Sequence, residues 1–227
     1  MMKNIKTSLV IPAKGSSERV KNKNLYKINN KSLIFLACEK ALKCKRVKQV
    51  FVDTESAEIK EDLKPLIKKG LKVIDRPKEL ANNQTSGNDL ARFEKEFVKD
   101  QDLYIQTFAT SPLLKHETID KCIQQFIEKW DKYDSFLSVT KLQEYIWDEN
   151  GTVNFNLDNL PNSKDLKGFW KETHGLYGVK VECLKKNNKR LGEKPMLVEI
   201  NEEEALDIDN YCDIEYLEYI NAKQKII

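Results

Sequence analysis

Apolar positions over the first 140 residues follow two alternating rhythms. Short continuous runs such as "TSLVIP" (7–12), "VKQVFVD" (47–53), "LKVID" (71–75), "DLYIQTFA" (102–109) and "SFLSVT" (135–140) have the length of buried strands. Between them, residues 31–43, 56–70, 87–100 and 116–130 carry apolar side chains at helical spacing. Leu33, Leu36, Ala37, Ala41 and Leu42 mark the core face of the first helix, with Ser32 placed to cap it. Ile119, Cys122, Ile123, Phe126 and Trp130 mark the face of the last, and Gly70 stops the second. Such alternation predicts a mostly parallel sheet with helices on both faces, an α/β fold of three layers. Ligands of such sheets lie outside the carboxyl ends of the strands, among the loops.

Beyond residue 140 the rhythm breaks. Residues 145–156 read as a hairpin turning at "ENG", and 157–170 have turn chemistry with little periodicity. Residues 141–173 thus form an excursion from the main layer, either a lid or an oligomer contact. Strand patterns return at 174–180 and 196–200, and a helix runs from about Asn210 to Ala222.

Charge narrows the function classes. Lys and Arg total 39 against 36 Asp and Glu, a formal net charge of +3. That balance lacks the basic stripe of a nucleic-acid binder. No apolar run approaches the ~20 residues of a membrane span, and the first residues lack the apolar stretch of a secretory leader. The five cysteines (Cys38, Cys44, Cys122, Cys183 and Cys212) form no C-x-x-C pair, and several fall on core-facing helical positions. Reduced structural thiols in a cytoplasmic protein are the expectation.

Candidate chemistry concentrates at two places. "IPAKGSSERVKNKN" (11–24) follows the first strand, so it sits on the ligand-bearing rim. Gly15 permits close backbone approach, Ser16 and Ser17 supply hydroxyls, and Lys14 and Lys23 supply cations. These are the parts of an anion nest, although a solvated Lys-rich loop has the same composition. The stretch fits neither G-x-G-x-x-G nor G-x-x-x-x-G-K-[ST]. In "LDIDN", Asp207 and Asp209 are two residues apart, so an extended backbone points both carboxylates to one face. A hard divalent cation suits such a pair; alternatively one carboxylate caps the next helix, a task Asn210 can also perform.

The loop resembles the signature of the cytidylyltransferases that activate sialic acid and related nonulosonic acids, and "RPKELA" (76–81), "ATSPLL" (109–114), "HGLY" (174–177) and "ALDIDNYCDIEYLE" (205–218) resemble further motifs of that family in the same order. The resemblance implies a Rossmann-like nucleotidyltransferase fold with a small dimerisation excursion. It implies CTP and an acidic sugar as substrates, CMP-sugar and pyrophosphate as products, Mg²⁺ as cofactor, and a homodimer. Ala13, Lys14, Gly15, Ser16, Ser17, Lys23 and Asn24 would form the nucleotide loop, with Lys14 and Lys23 on the phosphates. Arg76, Thr85 and Ser86 would border the cytosine. Asp207 and Asp209 would hold the metal, and Lys14, Lys23 and Asp209 would carry the catalysis. Phe108, Thr110 and Ser111 fall on the sugar side. Lys167 or Lys171 would meet the sugar carboxylate, and His174 would orient the sugar or simply pack.

Three positions depart from the family pattern. Lys14 replaces an Arg, which exchanges a bidentate fork for a point charge. Glu18 stands where Lys is common. Phe108 stands where sialic-acid enzymes carry Gln, whereas pseudaminic-acid enzymes tend to have an aromatic there, and residues 165–177 also resemble theirs. Phe108 either selects the sugar tail or turns inward under the helix that starts near His116. The rival readings are an enzyme for another acceptor, such as a keto-deoxy sugar acid or a phosphonate, and a nucleotide-binding module without turnover.

Overall fold

The computed structural model describes residues 5–224. The chain runs β1 (Thr7–Pro12), α1 (Leu33–Lys43), β2 (Gln49–Thr54), α2 (Ala57–Asp62), α3 (Lys64–Ile67), β3 (Lys72–Asp75), α4 (Gly87–Glu94), β4 (Leu103–Thr107) and α5 (His116–Glu128). It continues through β5 (Ser135–Leu142), β6 (Phe169–Lys180), α6 (Val181–Asn187), β7 (Pro195–Glu199) and α7 (Tyr211–Gln224). One seven-stranded sheet has the order β7-β5-β6-β4-β1-β2-β3. Its pairs are parallel except those of β6, which runs antiparallel to β4 and β5. The expected Rossmann-like α/β architecture is present.

The layers follow from strand alternation. Leu9 and Ile11 of β1 point into a core shared with α1, α2, α3, α5 and α7, and Val10 points to the opposite core with α4 and α6. All six residues of β1 are buried, as suits a central strand covered on both faces. Each large apolar side chain taken fully out of water there contributes about 1.5–3 kcal/mol. Ser32 caps α1, its Oγ accepting from Phe35 N–H at 3.0 Å. Cys38, Cys44 and Cys122 are buried, and desolvation pushes the Cys44 and Cys122 thiols up to about 12. None of these three is a thiolate nucleophile at neutral pH.

Several boundaries differ from expectation, each for a local reason. The helix expected over 56–70 divides at Leu63, because Pro65 has no N–H to continue the ladder. Gly70 does stop it, at φ +106°. The helix expected over 87–100 ends at Glu94 and tightens into a single turn, Lys95–Phe97. α6 is an additional helix. β6 begins at Phe169, five residues before the expected start at 174, and Phe169, Trp170 and Lys171 pair with Leu142, Lys141 and Thr140. The excursion is therefore the connection 143–168, carried on a two-stranded ribbon. Its hairpin closes between Trp147–Asp148 and Gly151–Thr152, with Gly151 at φ +127°. Tyr145 and Trp147 pack edge-on against Phe155 at 5.0 and 5.3 Å. No helix among the described residues is long and apolar enough to cross a membrane.

Candidate active site

Residues 13–25 leave β1 at the carboxyl rim and are closed by their own polar contacts. Ala13 N–H donates to Asp53 O at 2.8 Å. Ser17 Oγ accepts from Lys23 N–H at 2.9 Å and donates to Val20 O. Asn24 Nδ2 donates to Lys14 O at 2.9 Å. A Cβ at Gly15 would lie 2.8 Å from Ser56 Cβ, so glycine is required by close approach. Its N–H donates to Glu55 Oε1 at 2.6 Å, so the amide expected to face an anion is held by a carboxylate. Lys14 Nζ donates to Asn83 Oδ1, and Asn83 Nδ2 donates to Glu18 Oε1. Glu18, the departure that lowers the loop's charge, thus ties it to the loop 82–85.

The second motif docks against the first. Ile208 N–H donates to Thr110 O at 2.8 Å, and Lys23 Nζ donates to Ile208 O at 2.6 Å. Asp209 Oδ1 lies 2.8 Å from Arg19 Nη2 and 3.6 Å from Lys23 Nζ. Asn210 Oδ1 accepts from Asp213 N–H at 3.3 Å, while Asp213 Oδ2 accepts from Asp209 and Asn210 N–H, each at 2.8 Å. Asn210 and Asp213 therefore cap α7, so neither Asp207 nor Asp209 is spent as its cap. Burial pushes the Asp207 carboxyl up, a Thr110 hydrogen bond opposes this, and the charge of Asp209 reinforces it. Two hard oxygen donors bordering one cavity fit a divalent cation that completes its shell with phosphate oxygens and water. No group of three or more His, Cys, Asp or Glu able to hold a metal occurs among the described residues.

Two adjoining cavities follow from this docking. The first, about 270 Å³, is lined by Lys14, Ser16, Ser17, Lys23 and Asn24 from the loop, and by Arg76 and Thr85. The second, about 320 Å³, is lined by Arg19, His174, Arg190, Asp207 and Asp209. Phe108 and Thr110 line both. Phe108 does not turn under α5; it packs edge-on against Tyr177, centroids 6.2 Å apart, beside Leu137 and Val139. The Arg190 guanidinium lies 3.8 Å from the Tyr177 ring centroid, a cation–π contact. The Tyr177 hydroxyl donates to Glu172 Oε1, and burial first, then this bond, pushes the phenol up. His174 has a left-handed backbone, φ +57°, where the β5–β6 register slips between Glu172 and Tyr177. Its side chain is 63% exposed, so it borders the second cavity and is not core packing.

Other expected residues lie elsewhere. Ser86 caps α4 in a reciprocal box, its Oγ accepting from Asp89 N–H at 3.2 Å and its N–H donating to Asp89 Oδ2 at 2.9 Å. Ser111 is buried, 2% exposed, and lines neither cavity; Lys40 Nζ holds its carbonyl at 3.0 Å and shapes the turn after Thr110. Lys167 lies on the excursion with Nζ 6.0 Å from the Phe169 centroid, and it also lines neither cavity. Lys171 borders a wider groove of about 1,100 Å³ between the β5–β6 ribbon and α7, which Asp207 and Asp209 also reach. Arg76 lines the first cavity, but its guanidinium is committed to Asp53 Oδ2 at 2.7 and 3.0 Å. Arg190 and Asp53 carry no local motif; only tertiary packing brings Arg190 over Tyr177, the last residue of "HGLY", and Asp53 against Arg76.

Comparison with known proteins agrees with this geometry. Residues 9–160 match the family model described as Cytidylyltransferase. A relative from Campylobacter coli called post-translational flagellin modification protein B is 25% identical over 232 residues, covering 95% of each chain. A Helicobacter pylori protein named pseudaminic acid cytidylyltransferase and UDP-2,4-diacetamido-2,4,6-trideoxy-beta-L-altropyranose hydrolase is 22% identical over 208 residues, covering 89% of this chain and 40% of that one. Among solved structures, CMP:2-keto-3-deoxy-manno-octonic acid synthetase complexed with CTP superimposes with a TM-score of 0.71 at 17% identity, covering 96% of this chain and 99% of that one. With the family model spanning most of the chain, the fold and the rim loop in agreement, this protein belongs to the cytidylyltransferase family of nucleotidyltransferases.

Proposed function

We propose that this chain transfers CMP from CTP to an acidic nonulosonic-type sugar of the pseudaminic class, releasing pyrophosphate for surface glycan biosynthesis. The observation that carries the reading is the pair of adjoining cavities, one rimmed by Lys14, Lys23 and Asn24 and the other by Arg190 and His174. The nucleotide base enters beside Arg76 and Thr85, and Lys14 and Lys23 meet the phosphates. Arg190 offers a planar fork to the sugar carboxylate, and His174 orients the sugar. The anomeric hydroxyl attacks the α-phosphorus in line, a P–O bond forms, and the bond to pyrophosphate breaks as the hydroxyl proton leaves to water. Lys14 and Lys23 stabilise the departing charge, so positioning and electrostatics do most of the catalysis. Asp207 and Asp209 would hold Mg²⁺, which supplies charge neutralisation at the phosphate oxygens when bound.

The proposed assembly is a homodimer. The connection 143–168 exposes Trp147 (58%), Leu157 (64%) and Leu160 (62%), and the wide groove beside the acidic pair presents Tyr216 and Tyr219. A second copy seated there would cover both. Pyrophosphate release from CTP with a panel of acidic sugars tests the reaction. Turnover is expected with a sugar whose tail is deoxygenated. No release with any acidic sugar would overturn the proposal, and release only with a keto-deoxy octulosonate would move the acceptor to that class.

A further inference from the structure

Behind Arg76, in the wall of the first cavity, lies a buried pair of carboxyl groups that the proposed reaction does not use. Asp53 at the end of β2 and Glu94 at the end of α4 are both 0% exposed. Arg76 donates Nε and Nη2 to Asp53 Oδ2 and also donates Nη2 to Asp53 O at 2.9 Å. Glu94 Oε2 accepts from the Tyr104 hydroxyl and from Gln106 Nε2, the latter at 3.2 Å. The second oxygen of each carboxylate, Asp53 Oδ1 and Glu94 Oε1, is buried without a donor. An ionised pair would leave both oxygens unsatisfied in the interior, an expensive arrangement. One proton satisfies both, because a carboxylic acid on Glu94 can donate to Asp53. Desolvation first, then the charge of Asp53 and direct contact with its carboxyl, push Glu94 well above the usual carboxylate range. Tyr104 from β4 bonds Glu94, Arg76 from the loop after β3 opposes the shift, and Arg190 acts on Tyr104.

We propose that Glu94 is protonated at neutral pH and donates a hydrogen bond to Asp53, so that a carboxyl pair with a single negative charge holds Arg76 beneath the nucleotide. Glu94 is a positioning residue. Asp53 holds Nε and Nη2 of Arg76, which fixes the guanidinium in the wall of the cavity that Arg76 lines. This positioning role rests on the nucleotide reading above; the shared proton does not.

The two parts are separable by experiment. The unfolded chain releases the Glu94 proton near pH ~4.3, while the folded chain keeps it far higher. Folding therefore binds one extra proton in that window, and stability falls as pH rises until the folded pKa is passed. Glu94→Gln keeps an N–H donor toward Asp53 and removes the titration. Between pH ~5.5 and ~7 the ratio of its unfolding equilibrium constant to that of wild type is expected to fall ~10-fold per pH unit. Parallel stability profiles would overturn the shared proton. Should that variant not fold, the infrared carbonyl band of a protonated carboxylic acid in wild type at pH 7 decides, and its absence overturns the proposal. For positioning, Glu94→Ala is expected to raise the CTP dissociation constant at least ~10-fold and Glu94→Gln to restore it to within ~3-fold. Equal affinity of Ala and wild type would overturn the positioning role. Failure of wild type to bind CTP would overturn the nucleotide reading and the positioning role, with the stability profiles still deciding the proton.

Discussion

Replacing Gly15 by Ala tests whether the rim loop is held at one distance from the strand beside it. The new Cβ would lie 2.8 Å from Ser56 Cβ, 3.1 Å from Ser56 Oγ and 3.2 Å from Glu55 Oε1. Carbon atoms settle about 3.5–4.0 Å apart, so one side has to yield by roughly 1 Å. On the strand side, Ser56 is 7% exposed and its Oγ caps α2 through Ile59 N–H at 3.3 Å. Losing that cap costs about 1 kcal/mol, and losing the Gly15 N–H bond to the Glu55 side chain costs about 1–3 kcal/mol. The loop is the softer partner, because it is partly exposed and its contacts to the loop 82–85 run through surface side chains. Moving the loop forfeits part of the Glu55 bond, for a stability loss of about 1–2 kcal/mol. Lys14 and Asn24 then lie about 1 Å out of place, an error that lowers kcat/KM for CTP by ~10². Urea unfolding with an unchanged slope, together with steady-state pyrophosphate release, measures both quantities. Turnover within threefold of wild type would refute the claim that Gly15 sets the position of the loop.

Asp209→Ala is expected to lower turnover by at least ~10², with stability changed by no more than about 0.5 kcal/mol, because its side chain is 44% exposed and faces Arg19. Normal pyrophosphate release in that variant would remove the metal assignment. Phe108→Gln gives up an edge contact with Tyr177 worth about 0.5–1.5 kcal/mol and places an amide between the two cavities. Its kcat/KM ratio is expected to shift toward sugars with a glycerol tail, since an apolar wall discriminates only ~10–200-fold per methylene while a hydrogen-bonding site reaches ~10⁴. An unchanged ratio would make Phe108 a packing residue alone. Sedimentation at micromolar concentration is expected to give a dimer, and a monomer would free the exposed excursion for another role.

Parallel strands and the helices between them were readable because each is a continuous apolar run or a clean helical face, as in "TSLVIP" and α5. The ribbon at 169–172 escaped the pattern because two paired strands projecting from a sheet bury neither face, so Phe169, Trp170, Lys171 and Glu172 show no alternation. The antiparallel direction of β6 follows from where a long connection returns, which no local pattern records. Within the site, the rim loop could be placed from the strand before it, and the acidic pair picked out by its spacing. The close approach that requires Gly15, however, is to Ser56, and Glu55 holds the amide expected to face an anion. Ser86 and Ser111 look like ligand hydroxyls in a string of letters, yet one closes a helix and the other is sealed in the core. Arg190 follows a polar turn with no motif, and its placement depends on Tyr177 ten residues or more away in sequence. Asp53 and Glu94 become a pair only when β2 and α4 stack.

The partition between the two cavities bears on how such a protein can change its substrate. Excepting Arg19, the residues that face the second cavity alone come from 174–209, whereas those facing the first alone come from 12–90. Phe108 and Thr110 stand between these segments both in space and in chain order. On the proposed reaction, a lineage can therefore alter the residues around His174 and Arg190 and acquire a new acceptor, while Ile208 and Asp209, which hold Lys23, have to stay with the upstream half for its cavity to keep its shape.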